Sequence, residues 1–142
     1  MPTEPYWNPL VPELTVTCLK TSLAFYQTAG FSVRFRRSSP EFAYIERGQA
    51  QIMLEETTPD GWHVAPLERP LGRGINFQIE VLDAAALHTA FVQQGHALFR
   101  GLTETWYAVS ATEEEGQKEF LVQDPDGYLL RFAEALGGRV IA

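Results

Sequence analysis

Cysteine is all but absent: the single Cys18 leaves no internal disulfide and no cysteine-rich zinc site. Long apolar runs are missing as well. None approaches the roughly 18 residues needed to cross a bilayer. Met1–Pro9 also lacks the basic stretch followed by an apolar core that marks a secretory signal. The expectation is a cytoplasmic chain that does not enter the membrane. Positive charge is scarce, with 11 Lys and Arg against 18 Asp and Glu, a net charge of −7. Such a surface repels phosphate backbones, which disfavours nucleic acid as a partner, and it weakly favours cationic ligands. What remains is ordinary globular material. At 142 residues, 45% of them hydrophobic, the sequence fits one domain (1–142) able to bury a core.

The chain repeats itself. Leu14, Val16, Tyr26, Gly30 and Val33 recur 65 positions later as Ile79, Val81, Phe91, Gly95 and Leu98. Each set reads as an alternating strand, an amphipathic helix, a glycine and another strand. The helices are expected at about Leu19–Ala29 and Ala84–Gln94, with Leu19, Leu23 and Tyr26 on one stripe and Leu87, Ala90 and Phe91 on the other. Gly30 and Gly95 stand where left-handed C-caps belong, and Asp83 suits the second helix as N-cap; the first has only Thr17 or Cys18. A second register, at 78 positions, matches Phe42, Tyr44, Ile52, Leu54 and Glu56 to Phe120, Val122, Leu130, Phe132 and Glu134. The difference places 13 extra residues in the second copy within Arg100–Lys118, where Glu113–Gly116 read as a solvated turn. Asp124-Pro-Asp-Gly127 between apolar runs signals a β-hairpin, with Glu46–Gln49 as its counterpart. The expected fold is therefore α+β, two tandem βαβββ modules at about 10–56 and 75–134, joined by a Pro- and Gly-rich linker over 57–74.

Three stretches carry a family likeness: Leu23-Ala-Phe-Tyr26 with Gly30-Phe31, Val81-Leu-Asp83, and above all Phe120-Leu-Val-Gln-Asp-Pro-Asp-Gly-Tyr-Leu-Leu-Arg-Phe132. In these the chain resembles the vicinal-oxygen-chelate superfamily, that of glyoxalases, bleomycin-resistance proteins and ring-cleaving dioxygenases. The resemblance implies a cup-shaped mixed sheet with helices outside and the ligand on the concave face. It also implies a homodimer, in some members with an exchanged N-terminal arm, which Met1–Pro9 with Tyr6 and Trp7 would supply here.

The resemblance further implies where a catalytic metal would be held: one ligand on the first strand and one on the last strand of each module. Those positions carry Val11, Met53, Asn76 and Arg131. An aliphatic chain cannot ligate, a thioether suits hard divalent ions poorly, and a guanidinium repels them. A two-residue slip brings Glu13, Glu55 and Gln78 onto the same face, the strongest case for a divalent metal. His63, His88 and His96 read as surface histidines of the linker, the second helix and its end. Cys18 reads as a small packed residue.

If Leu14, Val16, Ile79 and Val81 face the helices, then Glu13, Thr15, Asn76, Gln78 and Glu80 face the other way, joined by Met53, Glu55, Leu129 and Arg131. This lining suits a polar or cationic small molecule; a Glu13–Arg131 ion pair that merely fills the space is the alternative. Trp62, in the linker, and Trp106 with Tyr107, in the extra segment, offer stacking surfaces for a planar cationic ring, or else packing surfaces within loops or a dimer. Two functions stay open: a non-catalytic protein that sequesters a polar or cationic ligand such as a bleomycin-like antibiotic, and a metal-dependent lyase, isomerase or dioxygenase. A metal-free enzyme using Glu13 or Glu80 as general base is a third.

Overall fold

The computed structural model describes residues 6–141, so the first five residues of the expected Met1–Pro9 arm lie outside the described residues. The chain divides into two compact units, one up to Leu67 and the other from Glu68. Each is a βαβββ module with a four-stranded mixed sheet. Among the described residues no helix is long and apolar enough to cross a membrane.

The first unit runs β1 (Glu13–Val16), α1 (Leu19–Thr28), β2 (Ser32–Arg37), β3 (Phe42–Arg47) and β4 (Ala50–Glu56), in sheet order β1-β4-β3-β2. β1 and β4 are parallel, which requires the α1 crossover; the rest is antiparallel. Leu14 and Val16 of β1, Ile45 of β3, and Ile52 and Leu54 of β4 are buried with Leu19, Leu23 and Tyr26 of α1.

The second unit repeats the plan: β5 (Asn76–Glu80), α2 (Ala84–Gln93), β6 (Leu98–Ala108), β7 (Glu113–Gln123) and β8 (Leu129–Val140), in order β5-β8-β7-β6. Phe91 of α2 packs over Phe120 and Phe132, register partners on β7 and β8, with ring centroids 5.5 to 5.9 Å apart. Such contacts supply most of a small module's hydrophobic stabilisation.

The helix ends repeat as closely as the cores. Both close in a Schellman turn: the N–H of Phe31 bonds the Tyr26 carbonyl and that of His96 the Phe91 carbonyl. The left-handed residues between are Gly30 (φ 89°) and Gly95 (φ 80°). At the N-terminus of α2, Asp83 accepts from the Ala86 N–H at 3.0 Å. Cys18 makes no such bond for α1. Both helices receive a carboxylate from the end of a strand. Glu56 accepts from the Leu19 N–H (2.9 Å) and Glu134 from the Ala84 N–H (3.0 Å). The two sequence registers thus meet at one hydrogen bond.

Three boundaries differ from the sequence reading. Glu113–Gly116 do not turn; they begin β7, and the turn falls at Val109–Thr112. The cause is sequence-distant pairing: Gly116 lies against the flat Trp106 ring, and Arg139 sits 3.9 Å above that ring while bonding Glu114. For the same reason β8 runs on to Val140 instead of ending at Glu134. The linker also divides. Thr57 bonds Val16 in the first unit, whereas Arg69 binds Asp126 at 3.0 Å and the Leu71 N–H bonds the Asp126 carbonyl in the second.

Candidate functional site

In the first unit the register fixes what faces away from α1. Glu13 stands beside Met53 and Thr15 beside Glu55; across β3, Phe42 lies opposite Glu55 and Tyr44 opposite Met53. On β2, Arg37 lies opposite Phe42. A cavity of about 500 Å³ opens on this face, lined among others by Glu13, Glu55, Arg37, Pro40, Asp60 and Trp62. Its size is that of an ordinary small-molecule site.

Glu13 is exposed as a residue, but partial desolvation at the cavity pushes its carboxyl up from the usual range; the neighbouring Glu55 adds to this by repulsion and by sharing a hydrogen bond, while Arg37 opposes it. Arg37 rests 4.0 Å above the Phe42 ring and forms no salt bridge within 4 Å among the described residues. Trp62 is 95% exposed at the cavity wall. His63, beside it, places Nε2 3.4 Å from the Thr15 hydroxyl.

The rest of this face is closed by the chain's own beginning. Trp7 packs edge-on against Tyr44 at 5.0 Å, and the Arg34 guanidinium lies 4.4 Å from the Trp7 ring. The buried Gln51 clasps this segment, accepting from the Asn8 N–H and the Tyr44 hydroxyl and donating to the Tyr6 carbonyl.

The second unit presents a different face. Asn76 and Gln78 are exposed on β5 beside Leu129 and Arg131 of β8. The Arg131 guanidinium lies 3.9 Å from Glu119, only 1% exposed, which also accepts from the Tyr107 hydroxyl. Arg131 thus has its carboxylate neighbour within its own unit, and Tyr107 is held by the same group. The Trp106 ring lies against Gly116 and carries the Arg139 guanidinium 3.9 Å from its centroid.

The predicted residues fall into two sets. Glu13, Met53, Glu55 and Trp62 belong to the first unit, where Glu13, Glu55 and Trp62 share the cavity; Asn76, Gln78, Trp106, Tyr107 and Arg131 belong to the second. The histidines are half-buried instead of surface groups, His88 edge-on to Phe120 and His96 edge-on to Phe91. Cys18 is exposed, not packed, and the Thr21 hydroxyl lowers its thiol pKa by donating to Sγ at 3.3 Å.

Sequence reasoning missed Arg37, Asp60 and Glu119. A register shift between Val33 and Phe35 breaks the alternation that would have pointed to Arg37. Glu119 did carry a signal: it is the acid that begins the buried run Glu119–Val122.

The residues fit a metal poorly. The positions implied by the family hold Val11 and Met53 in one unit and Asn76 and Arg131 in the other, a set without a charged donor and with one cation. Of the slipped set, Glu13 and Glu55 line the first unit's cavity and Gln78 belongs to the second unit. Among the described residues no group of three or more His, Cys, Asp or Glu is arranged to hold an ion.

No family model and no curated protein matches the chain. Solved structures do. TioX from Micromonospora sp. ML1 is 18% identical over 92% of this chain and 100% of its own, with a TM-score of 0.69. A bleomycin-binding protein complexed with bleomycin is 19% identical over 90% and 98%, at 0.61. These likenesses define the fold class, the tandem βαβββ protein. A glyoxalase/bleomycin resistance protein/dioxygenase superfamily member from Vibrio splendidus 12B01 is 32% identical over 86% of this chain and 94% of that one, with a TM-score of 0.41. The chain is thus similar in sequence to a member of the glyoxalase/bleomycin resistance protein/dioxygenase superfamily.

Proposed function

We propose that this protein binds a polar or cationic small molecule in the first unit's cavity and holds it without transforming it. The observation that carries this reading is the paired Glu13 and Glu55 carboxylates in a cavity of about 500 Å³ whose wall includes the exposed Trp62. A carboxylate pair attracts an ammonium or amidinium, and an open indole face favours a planar or cationic group. The bleomycin-binding neighbour makes a bleomycin-like glycopeptide a reasonable first ligand to try. The poor fit of the family's metal positions supports sequestration over metal-dependent lyase, isomerase or dioxygenase chemistry. A homodimer belongs to the same proposal, and a monomeric mass by light scattering contradicts it.

The test is calorimetric titration with bleomycin and with simple aromatic amidines, alongside metal analysis of the purified protein. Saturable binding lost in Glu13→Gln/Glu55→Gln and weakened in Trp62→Ala supports the proposal. Stoichiometric divalent metal that disappears in Glu13→Ala overturns it in favour of the metal-dependent reading.

A further inference from the structure

Glu13 and Glu55 sit on adjacent parallel strands and the same sheet face. Glu13 is opposite Met53, and Glu55 is two residues further along β4, so the two side chains are diagonal neighbours lining one cavity. Neither has a cation within 4 Å among the described residues. Two ionised carboxylates so placed repel each other, and a shared proton or a cation relieves that repulsion. We infer that the cavity exchanges one for the other: a bound cation displaces the proton that Glu13 and Glu55 share, so that capture tightens as pH rises. This rests on the cation-binding reading above and adds its regulation.

The charged surroundings set the direction. Desolvation and Glu55 favour the protonated form of Glu13, and Arg37 from β2 opposes them. Asp60, from the loop after β4, lines the same cavity and adds a further negative charge. His63 of that loop faces Thr15. β3 contributes Phe42, which is uncharged and carries Arg37 on its ring. A ligand cation stabilises the doubly ionised pair, so binding must expel the proton to solvent. Affinity therefore falls as pH drops through the raised Glu13 pKa and levels off above it.

Arg37 acts as an internal competitor for the ligand's place. Its guanidinium already offsets part of the pair's charge, so Arg37→Gln should move the midpoint upward and carry the pH dependence to higher pH.

The experiment is isothermal titration of the full chain with benzamidinium, whose charge is constant over the range used. It is run across pH and in two buffers of unequal ionisation enthalpy. The expected result is affinity rising about tenfold per pH unit below the midpoint, as for one proton released per cation, with a heat that depends on the buffer. Glu55→Gln should retain weakened binding, move the midpoint downward and reduce the buffer dependence to what desolvation of Glu13 alone sustains; Arg37→Gln should shift the midpoint upward. Binding with the same affinity and heat at every pH and in both buffers overturns the proton exchange while leaving the cation site standing. Retention of the full buffer dependence in Glu55→Gln overturns the shared proton. No binding at any pH removes the site and this inference with it.

Discussion

Replacing Glu56 by Ala should cost more stability than replacing Glu134 by Ala, although the two residues do the same work in the two units. Each carboxylate accepts the first N–H of a helix, at 2.9 Å for Leu19 and 3.0 Å for Ala84. The difference lies in what else caps the helix. α2 keeps Asp83 on the Ala86 N–H, whereas Cys18 contributes no side-chain bond to α1. Losing a side-chain cap costs about 1 kcal/mol, and losing a carboxylate at the positive end of a helix costs about 0.3–1 kcal/mol more. Glu56→Ala should therefore lose roughly 1.5 kcal/mol. Glu134→Ala, with Asp83 still in place, should lose roughly half of that. Glu56→Gln keeps the acceptor and loses the charge, and belongs in between. Urea unfolding followed by circular dichroism measures all three. Equal losses, or a greater loss for Glu134→Ala, refute the capping argument.

Three further outcomes follow from the packing and charge. A Cβ on Gly116 would lie 2.7 Å from the Trp106 ring, so Gly116→Ala should cost about 1–3 kcal/mol through overpacking and shift the tryptophan emission. Unchanged emission with native stability contradicts that contact. Phe91→Ala removes the ring packed over Phe120 and Phe132 and should cost about 3–5 kcal/mol; a loss below 1 kcal/mol in urea shows that the ring is not core. Glu13→Gln should stabilise the protein by roughly 0.2–1 kcal/mol, because it ends a like-charge contact across two strands. The sign has a pH signature. Folding raises the Glu13 pKa, so the wild-type penalty is full above the folded pKa and fades as pH falls toward the ordinary carboxylate value. A stability gain from Glu13→Gln that is independent of pH contradicts the coupling.

The repeat was legible because it is written in residues that folding cannot exchange. Gly30 and Gly95 need left-handed backbone, Val16 and Val81 fill equivalent core positions, and Asp124–Gly127 can only turn. What was hidden depended on partners distant in sequence. Glu113–Gly116 look like a solvated turn by composition, yet pairing with Trp106–Ala108 on one side and Gly137–Val140 on the other makes them strand. Glu13 and Glu55 could be placed on one face from the period of two. That Arg37 shares their cavity could not, because the irregularity between Val33 and Phe35 changes which residues of β2 face which way. The partners of Trp106 were likewise hidden in the sequence, since Gly116 and Arg139 come from other strands.

Amide chemical-shift mapping with benzamidinium tests the binding site most directly. Shifts concentrated at Glu13, Arg37, Glu55 and Thr58–Trp62, and abolished in Glu13→Gln/Glu55→Gln, are the predicted result. Shifts centred instead on Asn76, Gln78 and Arg131, with the first unit's cavity unmoved, would contradict it.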